Sequence, residues 1–361
     1  MPANNRIFYA TQAVLLEPQN SDGSARYGNY IRPKGVQSVG ITTNFTLEQV
    51  FQLGQLDLYD QVEDVPEVEV TMSKVIDGSL PLYLICVGGS AGPITGANDK
   101  DLAAIANNRV NVRLGIFSDV NSAASGAARD YVDCSGMYLS SISYTFPVDG
   151  NATEDVTLVG NNKLWNKTTV NSATSNFGFG NSATAETSIG TARRYKFSPT
   201  SSVLPLGSGG IPVPSGGSRT YPYLQSVTLS TDLGREQINE LGRMAPYYRY
   251  VTFPVEVTSE FEVIAADGDK MDADDFSGLT GACSDVYTNL SNKSIKIVVC
   301  GSGTGESMAV DLGSKNKLTS VNYTGGDTGG GNSTVTYSFQ TFNAFKVATT
   351  GTTFRAINIV S

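Results

Sequence analysis

The feature that most constrains the fold of this chain is that it repeats itself. Gln37-Ser38-Val39 recurs as Gln225-Ser226-Val227, and at the same offset Glu48-Gln49 matches Glu236-Gln237, Leu53-Gly54 matches Leu241-Gly242, Tyr59 matches Tyr247 and Pro66 matches Pro254. Beyond the prolines the match slips by one residue, so that VEVT from Val68 meets VEVT from Val255. Further on, NNRVNVRL from Asn107 parallels NKSIKIVV from Asn292, and LSSISYT from Leu139 parallels LTSVNYT from Leu318. Upstream, TQAVLL from Thr11 parallels TSSVLP from Thr200. Collinear matches over this length identify two copies of one unit rather than unrelated domains of similar composition. With 361 residues each copy can bury a core of its own. The expected organisation is a first copy over residues 1–165, a Ser/Thr/Asn/Gly-rich linker or long loop over 166–194, and a second copy over 195–361.

Each copy reads as all-β with one short helix. Short runs of Val, Ile, Tyr and Phe alternate with Gly, Ser, Thr and Asn, and no long Ala/Leu/Glu/Lys stretch of helical period appears. A strand pair precedes a strongly alternating strand in both copies. In the first, Val68, Val70 and Met72 oppose Glu67, Glu69 and Thr71; in the second, Val255, Val257, Phe261 and Val263 oppose Glu256, Thr258, Glu260 and Glu262. A helix is expected in NDKDLAAIANN, where Leu102 and Ile105 lie three apart behind an Asn98/Asp99 cap, and in CSDVYTNLSN around Val286, Tyr287 and Leu290. Two more strands then close each copy. LYLICV and IKIVVC read as buried strands ending in Cys86 and Cys300; these thiols, with Cys134 and Cys283, show no CxxC spacing and are expected to be inert and mostly buried.

The chemistry is conspicuous for what it lacks. No histidine occurs, which removes the commonest general base, the usual triad partner and the commonest metal ligand, so the chain is not expected to be an enzyme or to hold a cofactor or metal. Gly88-Gly89-Ser90-Ala91-Gly92 fits GxSxG but has no histidine to activate its serine, and reads as a glycine-rich turn. Gly301-Ser302-Gly303-Thr304-Gly305 lacks the Lys-Ser/Thr of a phosphate loop and reads as a hairpin loop. The acidic loop Asp267, Asp269, Asp272, Asp274, Asp275 has neither the central glycine nor the closing glutamate of a calcium loop, where Gly278 stands instead. With 34 acidic and 25 basic residues the net charge is -9, which argues against a surface that grips nucleic acid. MPANNRIFYATQ lacks the pattern of a secretory signal and no run has the length of a membrane span, so folding in a cytoplasm without a membrane partner is expected. The Asn-x-Ser/Thr sequons then reflect only Asn/Thr-rich turns.

Three stretches carry a family resemblance: FTLEQVFQLGQLDLYDQVEDVPEVEVTMSKVIDG from Phe45 to Gly78, YTFPVDGNATEDVTLVGNNKLW from Tyr144 to Trp165, and REQINELGRMAPYYRYVTFPVEVTSEFEVI from Arg235. In these the chain resembles bacteriophage tail-tube, or major tail, proteins. The resemblance implies tandem tube domains, each of two packed antiparallel sheets in a sandwich or barrel with a helix at the side. It also implies self-association into trimeric rings of pseudo-sixfold symmetry, stacked as a tube in the virion and assembled in the bacterial cytoplasm. The implied partners are other tail proteins: the tape measure, hub or baseplate, terminator and, in a contractile tail, sheath. DNA would pass through the lumen without specific binding.

The residues alone leave the polar faces of the alternating strands to the outer solvent or to an inner wall; the resemblance implies the inner wall, with Glu67, Glu69, Glu256, Glu260 and Glu262 facing the lumen. Three other readings use some of the same features. A tail hub or terminator protein would use the same domains. A double-β-barrel capsid protein is also duplicated, but needs more strands than each copy offers on this reading. A carbohydrate-binding surface should cluster aromatic residues around a loop, yet Trp165 is the only tryptophan.

Overall fold

A computed structural model describes residues 9–19, 30–87, 106–117, 130–167, 192–207, 223–266, 292–301, 307–326, 331–350 and 358–360, with a few single residues between them. The first half of the chain carries β1 (Gln12–Gln19), β2 (Tyr30–Arg32), β3 (Val36–Asn44), the hairpin of β4 (Leu47–Phe51) and β5 (Leu58–Glu63), and β6 (Glu67–Val75). Helix α1 (Leu82–Cys86), β7 (Arg109–Ile116), the long β8 (Asp130–Pro147), β9 (Thr153–Gly160) and β10 (Asn162–Lys167) complete it. The second half carries β11 (Leu224–Asp232), the hairpin of β12 (Arg235–Ile238) and β13 (Tyr248–Val251), β14 (Glu256–Ile264), β15 (Lys296–Cys300) and β16 (Ser307–Asp311). It ends with β17 (Lys317–Thr324), β18 (Thr334–Phe342), β19 (Lys346–Thr350) and β20 (Asn358–Val360). The protein is thus mostly β-sheet. Among the described residues no helix is long and apolar enough to cross a membrane.

The same strand order occurs in both halves. In the first, β3 pairs β6, β6 pairs β9, and β9 pairs the C-terminal part of β8; in the second, β11 pairs β14, β14 pairs β18, and β18 pairs β17. Even the irregularities coincide. The register shifts between Val36 and Ser38 in β3 and between Leu224 and Ser226 in β11, then between Leu139 and Ser141 in β8 and between Leu318 and Ser320 in β17. The glycine after each hairpin leucine has a matching reason: Gly54 and Gly242 sit at φ of 88° and 85°, a conformation that a side chain resists.

Strand pairing corrects the sequence match past the prolines. Asn44 pairs Glu67 and Thr231 pairs Val257, which brings Val68 into line with Val257 and Glu67 with Glu256. The burial of the side chains agrees: Val68, Val70 and Met72 are buried in β6, as Val257, Ser259 and Phe261 are in β14. The slip therefore runs opposite to the VEVT match, with Val255 as the inserted residue. A period of two makes either register plausible in sequence, because a two-residue error keeps every side chain on its face.

β8 and β11 join the two halves edge to edge. Ser226 to Asp232 pair antiparallel with Pro147 to Ser141, giving one eight-strand path, β3-β6-β9-β8-β11-β14-β18-β17. A second layer covers its apolar face: β7, β10, β1, β2 and β20 around the N-terminal part of β8, and the sheet β15-β16-β19 in the other half. Val70, Met72, Leu158, Tyr144, Leu229, Phe261, Tyr337 and Val347 meet in the continuous core between them. The halves thus contain more strands than the sequence suggests, because short segments such as β10 and β16 carry little period.

The run LYLICV is not a strand. It forms α1, entered through Pro81 and buried throughout. A short apolar run is ambiguous by periodicity, and here a distant carboxylate decides it: Glu154 on β9 accepts the backbone N–H groups of Leu82 (2.7 Å) and Tyr83 (2.8 Å), two donors that the helix itself leaves unpaired. Tyr144 donates its hydroxyl to the same carboxylate at 2.7 Å. Opposite Glu154 in the ladder stands Lys74, whose ammonium donates to Ser79 Oγ (2.6 Å) and the Leu80 carbonyl (2.8 Å) and lies 3.5 Å from Asp77. Burial pushes the Glu154 carboxyl up and the Lys74 ammonium down, against the opposing charges and hydrogen bonds. In the second half the matching cross-strand pair is Val263 and Val335.

Of the helices expected from sequence, the one around Leu102 shows only Leu102 and Ala106, both buried and joined by a helical N–H to carbonyl bond of 2.8 Å; the one around Val286 lies outside the described residues. Cys86 and Cys134 are buried, whereas Cys300 ends an edge strand and is exposed; Cys283 lies outside the described residues.

Glu154→Val leaves the α1 donors and the Tyr144 hydroxyl without their acceptor and removes a carboxylate whose charge offsets the buried Lys74 ammonium, and should cost about 3–5 kcal/mol in urea unfolding. Adding Lys74→Val, which copies the pair found in the second half, should recover part of that loss. A double mutant less stable than the single would contradict this.

Candidate functional site

The eight-strand path has one uncovered face, and its composition is nearly uniform. Ser38, Thr42, Thr71, Ser73, Thr157, Ser141, Ser143, Ser230, Thr258 and Ser338 alternate with the buried residues of their strands, and they pair with one another across the ladders. All the carboxylates expected from sequence stand on it. Glu67 and Glu69 lie on β6 opposite Asn44 and Thr42, Glu260 lies between Thr228 and Ser338, Glu262 between Ser226 and Thr336, and Glu256 opposite Phe342. Asp155 and Asp232 join them, opposite Ser73 and Ser141. The sequence reading missed these two because their strands show no run of acids. Among the described residues the one lysine or arginine in these rows is Lys317 on β17, opposite Gln340.

The carboxylates are not equally free. Glu262 accepts the Ser226 hydroxyl at 3.0 Å. Glu67 accepts the Arg249 guanidinium at 3.0 Å and the Gln237 amide at 3.2 Å, both from the β12–β13 hairpin. A shallow depression of about 580 Å³ lies in the middle of the face, bordered by Ser73, Ser143, Asp155, Ser230 and Thr258. Its lining of short hydroxyls offers a ligand neither an apolar wall nor a cation, and among the described residues no cluster of His, Cys, Asp and Glu is built to hold a metal. The GxSxG segment and most of the glycine-rich loop after Cys300 lie outside the described residues, as does the acidic loop apart from Asp269. Asp269 caps Met271 N–H with its side chain and accepts the Tyr337 hydroxyl with its carbonyl.

Among the described residues, β3 and β17 each have a pairing partner on one side only, and β17 is exposed along most of its length. The bulge positions match β17 to the C-terminal part of β8, so Tyr323 corresponds to Tyr144. Tyr144 is fully buried at the β8–β11 junction, whereas Tyr323 is 49% exposed. An apolar cleft of about 560 Å³ beside that junction is lined by Phe146 and Pro147 on one side and Tyr223 and Leu224 on the other. Its counterpart at the start of β3, about 450 Å³, is lined by Gly35, Val36 and Gln37 with no strand from a second half beside it.

The hairpins differ in the same way. β12–β13 folds back onto the first half: Arg235 donates Nε to the Leu139 carbonyl at 2.6 Å and a second N–H to the Ala106 carbonyl, and its guanidinium lies over the Tyr138 ring. Tyr248 donates to the Asn107 carbonyl and meets Tyr138 edge-on at 5.5 Å, and Arg249 reaches Asn161 as well as Glu67. Partial burial without a counter-ion pulls Arg235 down to about 10. The β4–β5 hairpin is exposed at every residue, Phe51, Leu53, Leu56 and Tyr59 among them.

No protein-family model matches the chain, and no curated protein matches it.

Arg249→Ala removes the ion pair between the second hairpin and the first half, leaves Asn161 Oδ1 without its donor and leaves Glu67 only the Gln237 amide. It should destabilise the protein by about 2–3 kcal/mol in urea, and Glu67→Gln, which leaves the buried Arg249 guanidinium without its counter-charge, should cost as much or more. No loss for either variant would contradict this account of the docking.

Proposed function

We propose that this chain is a structural protein that builds a hollow tube through which DNA passes, the tail tube of a bacteriophage, from tandem tube domains. One observation carries the proposal: the halves join through β8 and β11, while the strands at the matching positions, β17 and β3, are open. Repeating the same junction between chains joins β17 of one to β3 of the next, and three chains then form one closed barrel with six quasi-equivalent junctions. The edges of β3 and β17 that have no strand partner among the described residues would pair there, and an association hazard would become a specific contact. The internal pairing sets the register. Ser230 opposite Ser143 becomes Thr42 opposite Asn322, and Leu229 opposite Tyr144 becomes Ile41 opposite Tyr323.

The covering layer selects the inner face. A second sheet on one side of a closed barrel fits outside it, which leaves the Ser/Thr face with its carboxylates as the wall of the lumen. Such a wall repels phosphates and offers short hydroxyls that bind no particular base. Leu241 at the tip of the second hairpin stays fully exposed although its hairpin is docked, as Leu53 does in the first. These tips are available to the ring above or below. Contacts with tape measure, baseplate and terminator proteins follow from the same reading. The unbroken sheet through β8 and β11 favours it over a double-barrel capsid protein, whose two barrels would each close on themselves.

Purified protein should form trimers that stack into hollow tubes in negative-stain micrographs. Tyr323→Lys, which would bury an unpaired ammonium at the ring junction, should give folded monomers with an unchanged circular dichroism spectrum. Wild-type protein that stays monomeric at high concentration, without rings or tubes, would sink the proposal.

Replacing Glu69, Glu260 and Glu262 by Lys should leave assembly intact and make the tubes retain DNA. Retention should weaken with salt as the Debye length falls from about 30 Å at 0.01 M to about 8 Å at 0.15 M. Tubes of this variant that ignore DNA at low salt would exclude the face from the lumen.

A further inference from the structure

The docked β12–β13 hairpin shows what its bare counterpart fits. The two hairpins share one register: Arg235 opposite Val251 and Ile238 opposite Tyr248 correspond to Leu47 opposite Glu63 and Val50 opposite Asp60. Asp60 therefore stands where Tyr248 stands, and Leu47 where Arg235 stands. On the receiving side, the common bulge aligns Leu139 with Leu318, which places Lys317 where Tyr138 stands. The ladders also align Gly160 with Thr341, so that exposed Phe342 takes the place of Asn161.

Transferring the internal contact to the open edge exchanges its chemistry. Tyr248 meets Tyr138 at 5.5 Å between ring centroids, and the same juxtaposition sets Asp60 against Lys317. Both are exposed in the single chain. Arg235, 5.2 Å from the Tyr138 ring, is replaced by Leu47, which leaves no second cation beside that lysine. The ion pair of Arg249 with Glu67 becomes a contact of neutral Gln61 with Glu256, and Leu47 and Phe342 supply apolar area.

We propose that the β4–β5 hairpin docks beside β17 of a second copy of this chain, with Asp60 paired to Lys317 of that copy, and that this match enforces alternation of first and second halves around the ring. The wrong pairings are penalised. A second-half hairpin placed on another second half sets Arg235 against Lys317, and a first-half hairpin placed on another first half loses the cation that Glu67 requires. Each hairpin thus accepts one kind of neighbour. The proposal rests on the ring reading above and adds the residues that specify it.

The test is a charge swap. Asp60→Lys and Lys317→Asp, each checked for an unchanged circular dichroism spectrum, should weaken ring formation about tenfold or more in mass photometry at low salt, because each sets like charges together. The double variant should restore assembly to within about threefold of wild type. If wild type forms rings and the single variants assemble as well as it does, or the double variant fails to recover, the contact is wrong and the ring reading stands. Wild type that forms no rings sinks the ring reading and this contact with it.

Discussion

Everything in this molecule depends on the pairing of β8 with β11. That ladder places the apolar faces of both halves on the same side, so that one core runs beneath all eight strands, and it places every Ser/Thr row on the other side. It also buries Val227, Leu229, Ile142 and Tyr144. Without it the chain would be two sandwiches, each with two bare edges. With it one pair of edges is satisfied inside the chain, and among the described residues β3 and β17 keep a partner on one side only.

The halves differ in side chains where their surroundings differ. Tyr138, Asn161 and Glu67 receive a hairpin from the same chain, and their partners Arg235, Tyr248 and Arg249 combine hydrogen bonds, ring contacts and one ion pair. Lys317, Phe342 and Glu256 occupy the matching places on the open side, and the hairpin assigned to them carries Leu47, Asp60 and Gln61. Within the cores, Lys74 and Glu154 cap and anchor α1 in the first half, where the second has two valines. Shared backbone geometry with unlike side chains is what a duplicated unit needs if one junction is internal and the other is made with a neighbour.

Much of this was legible in the sequence, for identifiable reasons. The repeat exposed the shared order of elements, and the alternation of Glu67–Val75 and Glu256–Ile264 gave both faces of the central strands, because a half-buried sheet imposes a period of two. The reach of Glu154 to α1 was not legible, since 71 residues separate it from Tyr83 and nothing local marks it. The run LYLICV looked like a strand for that reason. The β8–β11 junction was equally hidden: Ser, Thr and Tyr at alternate positions describe an edge strand and a paired one alike. Asp155 and Asp232 escaped notice because β9 and β11 lack the alternating acids of β6 and β14, and only the ladders bring them onto the face with Glu69 and Glu260.

The central claim is that the ring junction copies the internal one residue for residue, and a disulfide measures it directly. In a Cys300→Ser background, Thr42→Cys combined with Asn322→Cys places two thiols at the positions matching Ser230 and Ser143, which face each other across the β8–β11 ladder. Mild oxidation of the assembled protein should convert it to covalent trimers on a non-reducing gel, and pairing Thr42→Cys with Val321→Cys, one residue along and on the opposite face, should not. Assembled tubes in which the Thr42 and Asn322 cysteines stay reduced, or in which both pairs cross-link alike, would contradict the account.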